Sequence, residues 1–305
     1  MRRYGTPQRG SLYSPRRQPH VNTMATAVVV STVAHLAQVL DRLTLKATVP
    51  PHLYIDIEGV NLSRNGTISI FTLFDRTSKL VYLIDVYSLG FAAFTTHSAT
   101  CKTFTDSVFQ VIDADTAPRY VTLKTILECS KIPKVFFDVR NDSDALFAHF
   151  GIRLDGVQDL QVMELATRSG RNRERVNGLA RCLHFGLVGI LTPLQRSQID
   201  TIKNRGSALF DPEKGGSFEV FNQRPLDPVI EKYCMQDVIF LPHLWLRYYK
   251  KLWVPFWKFV VASETKKRLE ESRSADYVPQ GKHKALGWTW DDLRQKELKW
   301  NSGSC

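Results

Sequence analysis

The sequence predicts an α/β fold in which a mixed β-sheet is flanked by helices. Three runs rich in β-branched and aromatic residues follow one another after residue 52 and are separated by turn-forming stretches, which is typical of an antiparallel meander. Further along the chain, strand and helix patterns alternate, and this alternation indicates parallel strands with helical crossovers. A chain of 305 residues with 43% hydrophobic residues can bury a sizeable core around such a sheet.

The first half of the chain contains the predicted meander. A short strand is expected at residues 28–30, and Ser31 is a suitable N-cap for the amphipathic helix that follows it. The meander strands are predicted at residues 53–57, 67–73 and 80–85. Short turns between them would place neighbouring strands side by side.

The second half contains the predicted parallel part. Helices are expected at residues 122–129, 142–150, 162–167 and 177–185, and strands at 134–139 and 157–161. Residues 191–223 are polar, contain Pro193 and Gly206, and are predicted to form an irregular excursion. Pro228 should open a long helix to about residue 249, with a kink at Pro242.

Charge and cysteine content indicate the expected partners and cellular compartment of the protein. The net charge is +11, and the first 23 residues contain five arginines and no acid, which favours polyanionic partners such as nucleic acid. The five cysteines are scattered without a CxxC pair, which argues against a disulfide framework or a zinc site and favours a reducing compartment. No apolar run is long enough for a membrane span, so we expect a soluble, intracellular protein, nuclear or cytoplasmic. A mitochondrial location would also fit the basic tail.

Two acids lie on one face of the first meander strand. Because strand side chains alternate between faces, Asp56 and Glu58 project from the same side. Neighbouring carboxylates repel each other unless a cation lies between them, and their oxygens are the ligands that divalent metals prefer. Taken alone, the pair would more often belong to an exposed strand face.

A second acidic signal lies in the last long helix. Tyr233 and Asp237 are four residues apart and share a helix face, on which Asp237 falls among Ile230, Leu241 and Leu244. An unpaired buried carboxylate is unstable, so such an acid normally has a metal, a base or a hydrogen-bond donor beside it. A salt bridge on the helix surface is the alternative.

Three further acids lie at a predicted strand-to-helix junction. Of Asp138, Asp142 and Asp144, helical spacing favours Asp142, which shares a face with Ala145 and Leu146. Either Asp142 or Asp144 could instead be an N-terminal helix acid stabilised by the helix dipole.

In chain order, these motifs resemble the DEDD exonuclease superfamily, specifically its DEDDy branch, which includes ribonuclease D, the Werner-type exonuclease domain and Egalitarian-like proteins. The resemblance covers about residues 28 to 250 and implies a ribonuclease H-like fold with 3′-5′ exonuclease activity on nucleic acid. The matching segments are Ile55 to Gly59, Asp138 to Leu146 and Tyr233 to Asp237. Supporting matches are Gly151-Ile152, Asp159-Leu160-Gln161, Gly178-Leu179-Ala180 and Arg224-Pro225-Leu226. We expect a basic tail at 1–24, the exonuclease domain at 25–262 and a charged, loosely ordered extension at 263–305.

The resemblance implies roles for five residues. Four would be metal-binding acids, namely Asp56, Glu58, Asp142 and Asp237. Two Mg²⁺ or Mn²⁺ ions about 3.5–4 Å apart can clamp an in-line phosphoryl displacement, and Asp56, on the central strand, would bridge them. Tyr233 would orient the attacking water by hydrogen bonding, because an ordinary tyrosine pKa of about 10 makes it a weak base at neutral pH.

Basic residues between the second and third motifs could contact substrate phosphates, although a charge run is more often a solvated face. These residues are Arg168, Arg171, Arg173, Arg175, Arg181, Lys203 and Arg205. A second function stays open, in which a binding or scaffold protein retains the fold without effective catalysis. All five motif residues are present, which favours activity, whereas no residue can be assigned to reading the RNA 2′-hydroxyl.

Overall fold

A computed structural model of the chain describes residues 26–101, 120–170 and 172–303. The predicted basic tail and the predicted substrate contact Arg171 lie outside the described residues. The strands are β1 Thr26–Val30, β2 Leu53–Glu58, β3 Ile70–Asp75, β4 Leu80–Asp85, β5 Lys134–Phe136 and β6 Val157–Asp159. They form one sheet in the order β1-β4-β3-β2-β5-β6.

The sheet is mixed, and the predicted fold class is confirmed. β2, β3 and β4 pair antiparallel as the meander. β1 is parallel to β4, β5 is parallel to β2, and β6 is parallel to β5. The carboxyl ends of β2 and β5 therefore meet at the same edge of the sheet, so Asp56 and Glu58 of β2 lie near the acids that follow β5.

The helices cover both faces of this sheet. They are α1 Val33–Arg42, α2 Val86–Leu89, α3 Ala92–Thr95, α4 Leu123–Glu128, α5 Arg140–Phe150, α6 Leu160–Thr167, α7 Leu179–Gly186, α8 Pro193–Phe210, α9 Pro228–Ile239, α10 Leu241–Tyr249, α11 Pro255–Ser272 and α12 Trp290–Asn301. Short 3-10 turns occupy Pro212–Lys214, Phe218–Asn222 and Lys282–Ala285. Among these helices, none is long and apolar enough to cross a membrane.

The core has one layer on each face of the sheet. Ile55 of β2 packs with residues of α1, α4 and α5, whereas Tyr54 packs with residues of α6, α9 and α10. Since strand side chains alternate, Asp56 and Glu58 face the same side as Tyr54. That side is covered by α9, which packs across β2, β3 and β4.

The predicted irregular excursion at residues 191–223 is wrong, because most of it is helical. Within it, α8 is an 18-residue helix. Its start is stabilised by Thr192, whose hydroxyl accepts from the Gln195 backbone, while the Gln195 side chain accepts from the Thr192 backbone. Pro193 occupies the first turn, where proline favours a helix, and Gly206 is tolerated inside it because it lies against another helix.

Two smaller predictions also need correction. Thr32, rather than Ser31, is the N-cap of α1. The expected long helix with a kink is divided at Phe240 into α9 and α10, and Pro242 lies in the first turn of α10. Proline has no N–H to continue the ladder of α9, so the chain begins a new helix instead.

The chain after residue 254 folds back onto the sheet. α11 packs against α5, α6 and β6, and α12 packs against α11. Residues 263–303 contain the end of α11, a 3-10 turn and α12, and the loose order that we expect for this extension stays a prediction. The expected domain end at residue 262 falls inside α11, and the division of the chain into domains stays a prediction.

Candidate active site

Three acids from distant parts of the chain form one cluster at the sheet edge. Carboxylate oxygens of Asp56, Glu58 and Asp237 all lie within 4.8 Å of one another. Asp237 is buried, while Asp56 and Glu58 are half-buried. β2 supplies two of these acids from one face, and the packing of α9 on β2 supplies the third.

The end of β2 is held in place by a tight backbone approach. A Cβ atom at Gly59 would lie 2.0 Å from the carbonyl oxygen of Thr67, so only glycine allows this contact. The backbone N–H of Ser69 donates to the carbonyl of Glu58 at 2.8 Å. These contacts fix the strand that carries both acids and explain the glycine of the first motif.

Asp142 is buried in the first turn of α5, directly after β5. It lies outside the cluster of three, yet its charge interacts with those of Asp56 and Glu58. Burial, followed by repulsion from Asp56, raises the pKa of Asp142 well above its ordinary value. The fourth predicted acid is therefore close enough to share the electrostatics of the site.

The other two acids of the second motif have partners elsewhere. Asp144 accepts hydrogen bonds from the Nε atom of Arg64 at 2.6 Å and from its backbone N–H at 2.8 Å. Asp138 accepts from the guanidinium of Arg140 at 2.5 and 2.7 Å. Asp142 has no such ion pair in the described part of the chain, and its choice over Asp144 as the fourth acid of the site stays a prediction.

The clustered carboxyls bind protons more tightly than usual. Burial raises the pKa of Asp56 to about 6, although the ammonium of Lys203 partly opposes this shift. Burial and the neighbouring charge of Asp56 raise the pKa of Glu58 well above its ordinary value. A site with these properties attracts cations.

Tyr233 lies one turn before Asp237 and is held by α8. Its ring meets that of Phe210 at 4.9 Å between centroids. A Cβ atom at Gly206 would lie 2.5 Å from its Cδ2 atom, so the ring rests directly on the glycine. Burial and the charges of Glu58 and Asp56 raise the pKa of Tyr233, and its hydroxyl therefore stays protonated at neutral pH.

Lys203 points into the acidic cluster. Its ammonium forms an ion pair with Asp237 and lies 4.2 Å from the centroid of the Tyr233 ring. The sequence grouped Lys203 with arginines as a possible phosphate contact and missed this position. Helical spacing could have revealed it, because Lys203, Gly206 and Phe210 lie on one face of α8.

Two of the other predicted substrate contacts, Arg168 and Arg173, have side-chain partners within the chain. Arg168 pairs with Glu164 at 2.5 Å. Arg173 donates to the carbonyl of Arg168 at 3.0 Å and lies 4.8 Å from the ring centroid of Trp257. The backbone of Arg175 forms an antiparallel β-bridge with Leu286. Arg205 is exposed on α8. Contact of these residues with a substrate stays a prediction.

The C-terminal segment also reaches the second motif, which the sequence did not indicate. The hydroxyl of Tyr277 donates to Oδ1 of Asn141 at 2.8 Å, and the ammonium of Lys284 contacts the same atom. Arg140 donates to the carbonyl of Lys284 at 2.9 Å. One wall beside Asp142 is therefore built by residues far away in sequence.

The sequence matches the family model described as 3′-5′ exonuclease over residues 28–253. The chain therefore belongs to the 3′-5′ exonuclease family. It is a nuclease, a hydrolase that cleaves nucleic acid.

Solved structures share the fold. The structure of Trypanosoma brucei RNase D in complex with RNA U12 is 19% identical, covers 89% of this chain and 79% of that chain, and gives a TM-score of 0.58. The complex of the same enzyme with GMP is 22% identical, with 90% and 71% coverage and a TM-score of 0.58. These likenesses confirm the ribonuclease H-like α/β fold. No curated protein matches the sequence significantly.

Proposed function

We propose that this chain removes nucleotides stepwise from the 3′ ends of RNA with the help of two divalent cations. The observation that carries the proposal is the convergence of Asp56, Glu58 and Asp237 at one sheet edge, with Tyr233 one helical turn away. Membership of the 3′-5′ exonuclease family supports the polarity of cleavage.

The donor set fits Mg²⁺ or Mn²⁺. All the ligands offered are carboxylate oxygens, which these hard cations prefer. Burial raises the pKa values of Asp56 and Glu58, and bound divalent ions would compensate the cost of ionising these carboxyls. Asp56, Glu58 and Asp237 would hold one ion, and Asp56 with Asp142 would hold the other.

The residues around the ions would orient the attacking water. When bound, the ions would lower the pKa of a water molecule and neutralise the leaving 3′ oxygen. The hydroxyl of Tyr233 stays protonated, so it would orient the attacking water by hydrogen bonding rather than accept its proton. The close contact of Gly206 and Phe210 with the Tyr233 ring would keep this hydroxyl in position.

RNA is the substrate that we favour over DNA. The fold is shared with a ribonuclease D whose structure holds RNA U12, and this likeness supports RNA as the first substrate to test. The net charge of +11 would attract either polymer and does not favour one of them.

A 5′-labelled oligonucleotide, prepared as RNA and as DNA of the same sequence, tests the proposal. With Mg²⁺, we expect a ladder of shortened products from RNA that disappears with a chelator and in the Asp56→Asn variant. Lys266→Met, which changes an exposed residue of α11, serves as a matched control. Tight binding of RNA without shortening, in Mg²⁺ and in Mn²⁺, would overturn the proposal and favour a scaffold function.

A further inference from the structure

We propose that a cavity between α6, α7 and α10 binds a backbone phosphate of single-stranded RNA upstream of its 3′ end. This basic cavity is lined by Arg168, Arg181, Arg247 and Lys251, together with Phe185. It lies apart from the acidic cluster, because none of the three clustered acids lines it. The inference rests on the proposed RNA substrate and adds a second contact with the same strand.

The basic cavity contains more positive charge than its own acid can balance. Four cationic side chains line it against one carboxylate, that of Glu164. Glu164 is already paired with Arg168 at 2.5 Å. The remaining cations, Arg181, Arg247 and Lys251, form no ion pair within the part of the chain that the structure describes. Like charges held around one space repel each other, and an anion between them relieves that repulsion.

The size of the cavity suits a phosphate group. Its volume is about 110 Å³, which is several times the space that one water molecule requires. Arg247 is held at its wall, since its Nη1 atom donates to the carbonyl of Gly186 at 3.3 Å. The guanidinium keeps further N–H donors, which can pair with phosphate oxygens.

An exposed aromatic ring beside the cations favours nucleic acid over a free anion. Phe185 lines the cavity and is 55% exposed. The guanidinium of Arg181 lies 5.6 Å from the centroid of its ring. Single-stranded nucleic acid binds to surfaces of this kind, because bases stack on the rings while cations neutralise the phosphates. A free phosphate would make no use of Phe185.

α7 places the basic cavity within reach of a strand that leaves the active site. One face of this helix, with Arg181 and Phe185, lines the cavity, and another, with His184, lines a groove shared with α8. α8 is the helix on which the ring of Tyr233 rests through Gly206. Since a helix with its side chains is about 10–12 Å across, an RNA strand that crosses α7 would reach the cavity a few nucleotides before its 3′ end.

Fluorescence anisotropy of a labelled RNA of about 12 nucleotides tests the inference on the full chain, with a chelator present to keep the RNA intact. Arg247→Met/Lys251→Met should bind this RNA about tenfold more weakly, which is the effect of losing one hydrogen bond between charged groups. Its log Kd should depend less steeply on log salt, by about 0.7 or more, because one phosphate is no longer neutralised. Lys266→Met/Lys267→Met removes two exposed charges of α11 and should behave as wild type.

Two further measurements separate the cavity from the active site. In Mg²⁺, Arg247→Met/Lys251→Met should raise the KM for the same RNA and leave kcat unchanged. It should also cleave a dinucleotide, which is too short to cross α7, at the wild-type rate. Phe185→Ser should weaken RNA binding about fivefold or more without changing the salt dependence, since stacking on a neutral ring neutralises no phosphate.

Equal RNA affinity of wild type and Arg247→Met/Lys251→Met would overturn the inference. If inorganic phosphate then raised the melting temperature of wild type alone, the cavity would be a site for free phosphate. A loss of dinucleotide cleavage as large as the loss of RNA binding would also overturn it, because the two residues would then act at the active site. Lys251→Met, at an exposed side chain, should show a smaller loss in the same direction if the double variant does not fold.

The outcomes for this inference and for the proposed function are distinguishable. If wild type shortens RNA while the double variant binds RNA as tightly as wild type, only this inference fails. If RNA binding depends on Arg247 and Lys251 but wild type shortens no RNA, only the proposed function fails.

Discussion

The ammonium of Lys203 lies 4.2 Å from the centroid of the Tyr233 ring, and it pairs with Asp237 one turn further along α9. These contacts join α8 to two residues of the third motif. α8 carries none of the motif residues, yet it shapes the site in which they lie. Substitutions on this face of α8 should therefore change the turnover rate.

Gly206→Val should reduce turnover while the protein stays folded. The new Cβ would lie 2.5 Å from Cδ2 of Tyr233, so the ring must move. A displacement on the order of 1 Å at a positioning residue can cost about 100-fold in rate. Steady-state kinetics on RNA, with circular dichroism as the check on folding, measures this effect. Wild-type turnover in a folded variant would show that the Tyr233 ring does not need its place on the glycine.

Tyr233→Phe should retain Mn²⁺ binding and lose turnover. The ring and its contacts with Phe210 and Gly206 remain, whereas the hydroxyl proposed to orient water is removed. Positioned proton donors and acceptors contribute about 100-fold or more to rate, so we expect a loss of that order. Single-turnover kinetics and Mn²⁺ calorimetry separate the two effects. An equal rate in both proteins would remove Tyr233 from the mechanism.

The sequence predicts the strand acids well and the helical support of the site poorly. Asp56 and Glu58 share a face because strands have a period of two, and this follows from local geometry alone. α8 was missed because Pro193 and Gly206 read as breakers, whereas the first stabilises a helix start and the second fits against Tyr233. Contacts such as Tyr277 with Asn141 join residues 136 apart, and no local pattern encodes them.

Arg268→Met should destabilise the protein strongly. The buried guanidinium donates to Oδ2 of Asp159 at 2.8 Å and to Oε1 of Gln161 at 2.9 Å. Its removal takes a hydrogen bond and a positive charge away from the buried carboxylate of Asp159. Breaking a buried pair in this way costs about 3–5 kcal/mol. Urea unfolding measures the loss against Lys266→Met, whose exposed site should change stability by less than about 0.5 kcal/mol. A similar small change in both variants would contradict the role of Arg268.

Binding of Mn²⁺ should weaken as the pH falls through about 6. The pKa of Asp56 is raised to about 6, mainly by burial, so protons compete with the metal below that value. In the metal-free protein a raised carboxyl pKa favours folding at low pH, and this stabilisation is lost as the pH rises through about 6. Thermal melts across this pH range, with and without Mn²⁺, measure both effects as the difference in melting temperature between wild type and Asp56→Asn. If the metal-free wild type instead gained stability relative to Asp56→Asn as the pH rises through about 6, the raised pKa of Asp56 would be contradicted.

The central claim is that carboxylates from β2, α5 and α9 form one metal-dependent centre that acts only at 3′ ends. The most direct measurement compares a linear RNA with the same RNA closed into a circle, in Mg²⁺, for wild type and Asp237→Asn. We predict that wild type shortens the linear RNA stepwise, leaves the circle intact, and loses its activity in the variant. Cleavage of the circle, or shortening that persists in Asp237→Asn, would contradict the account.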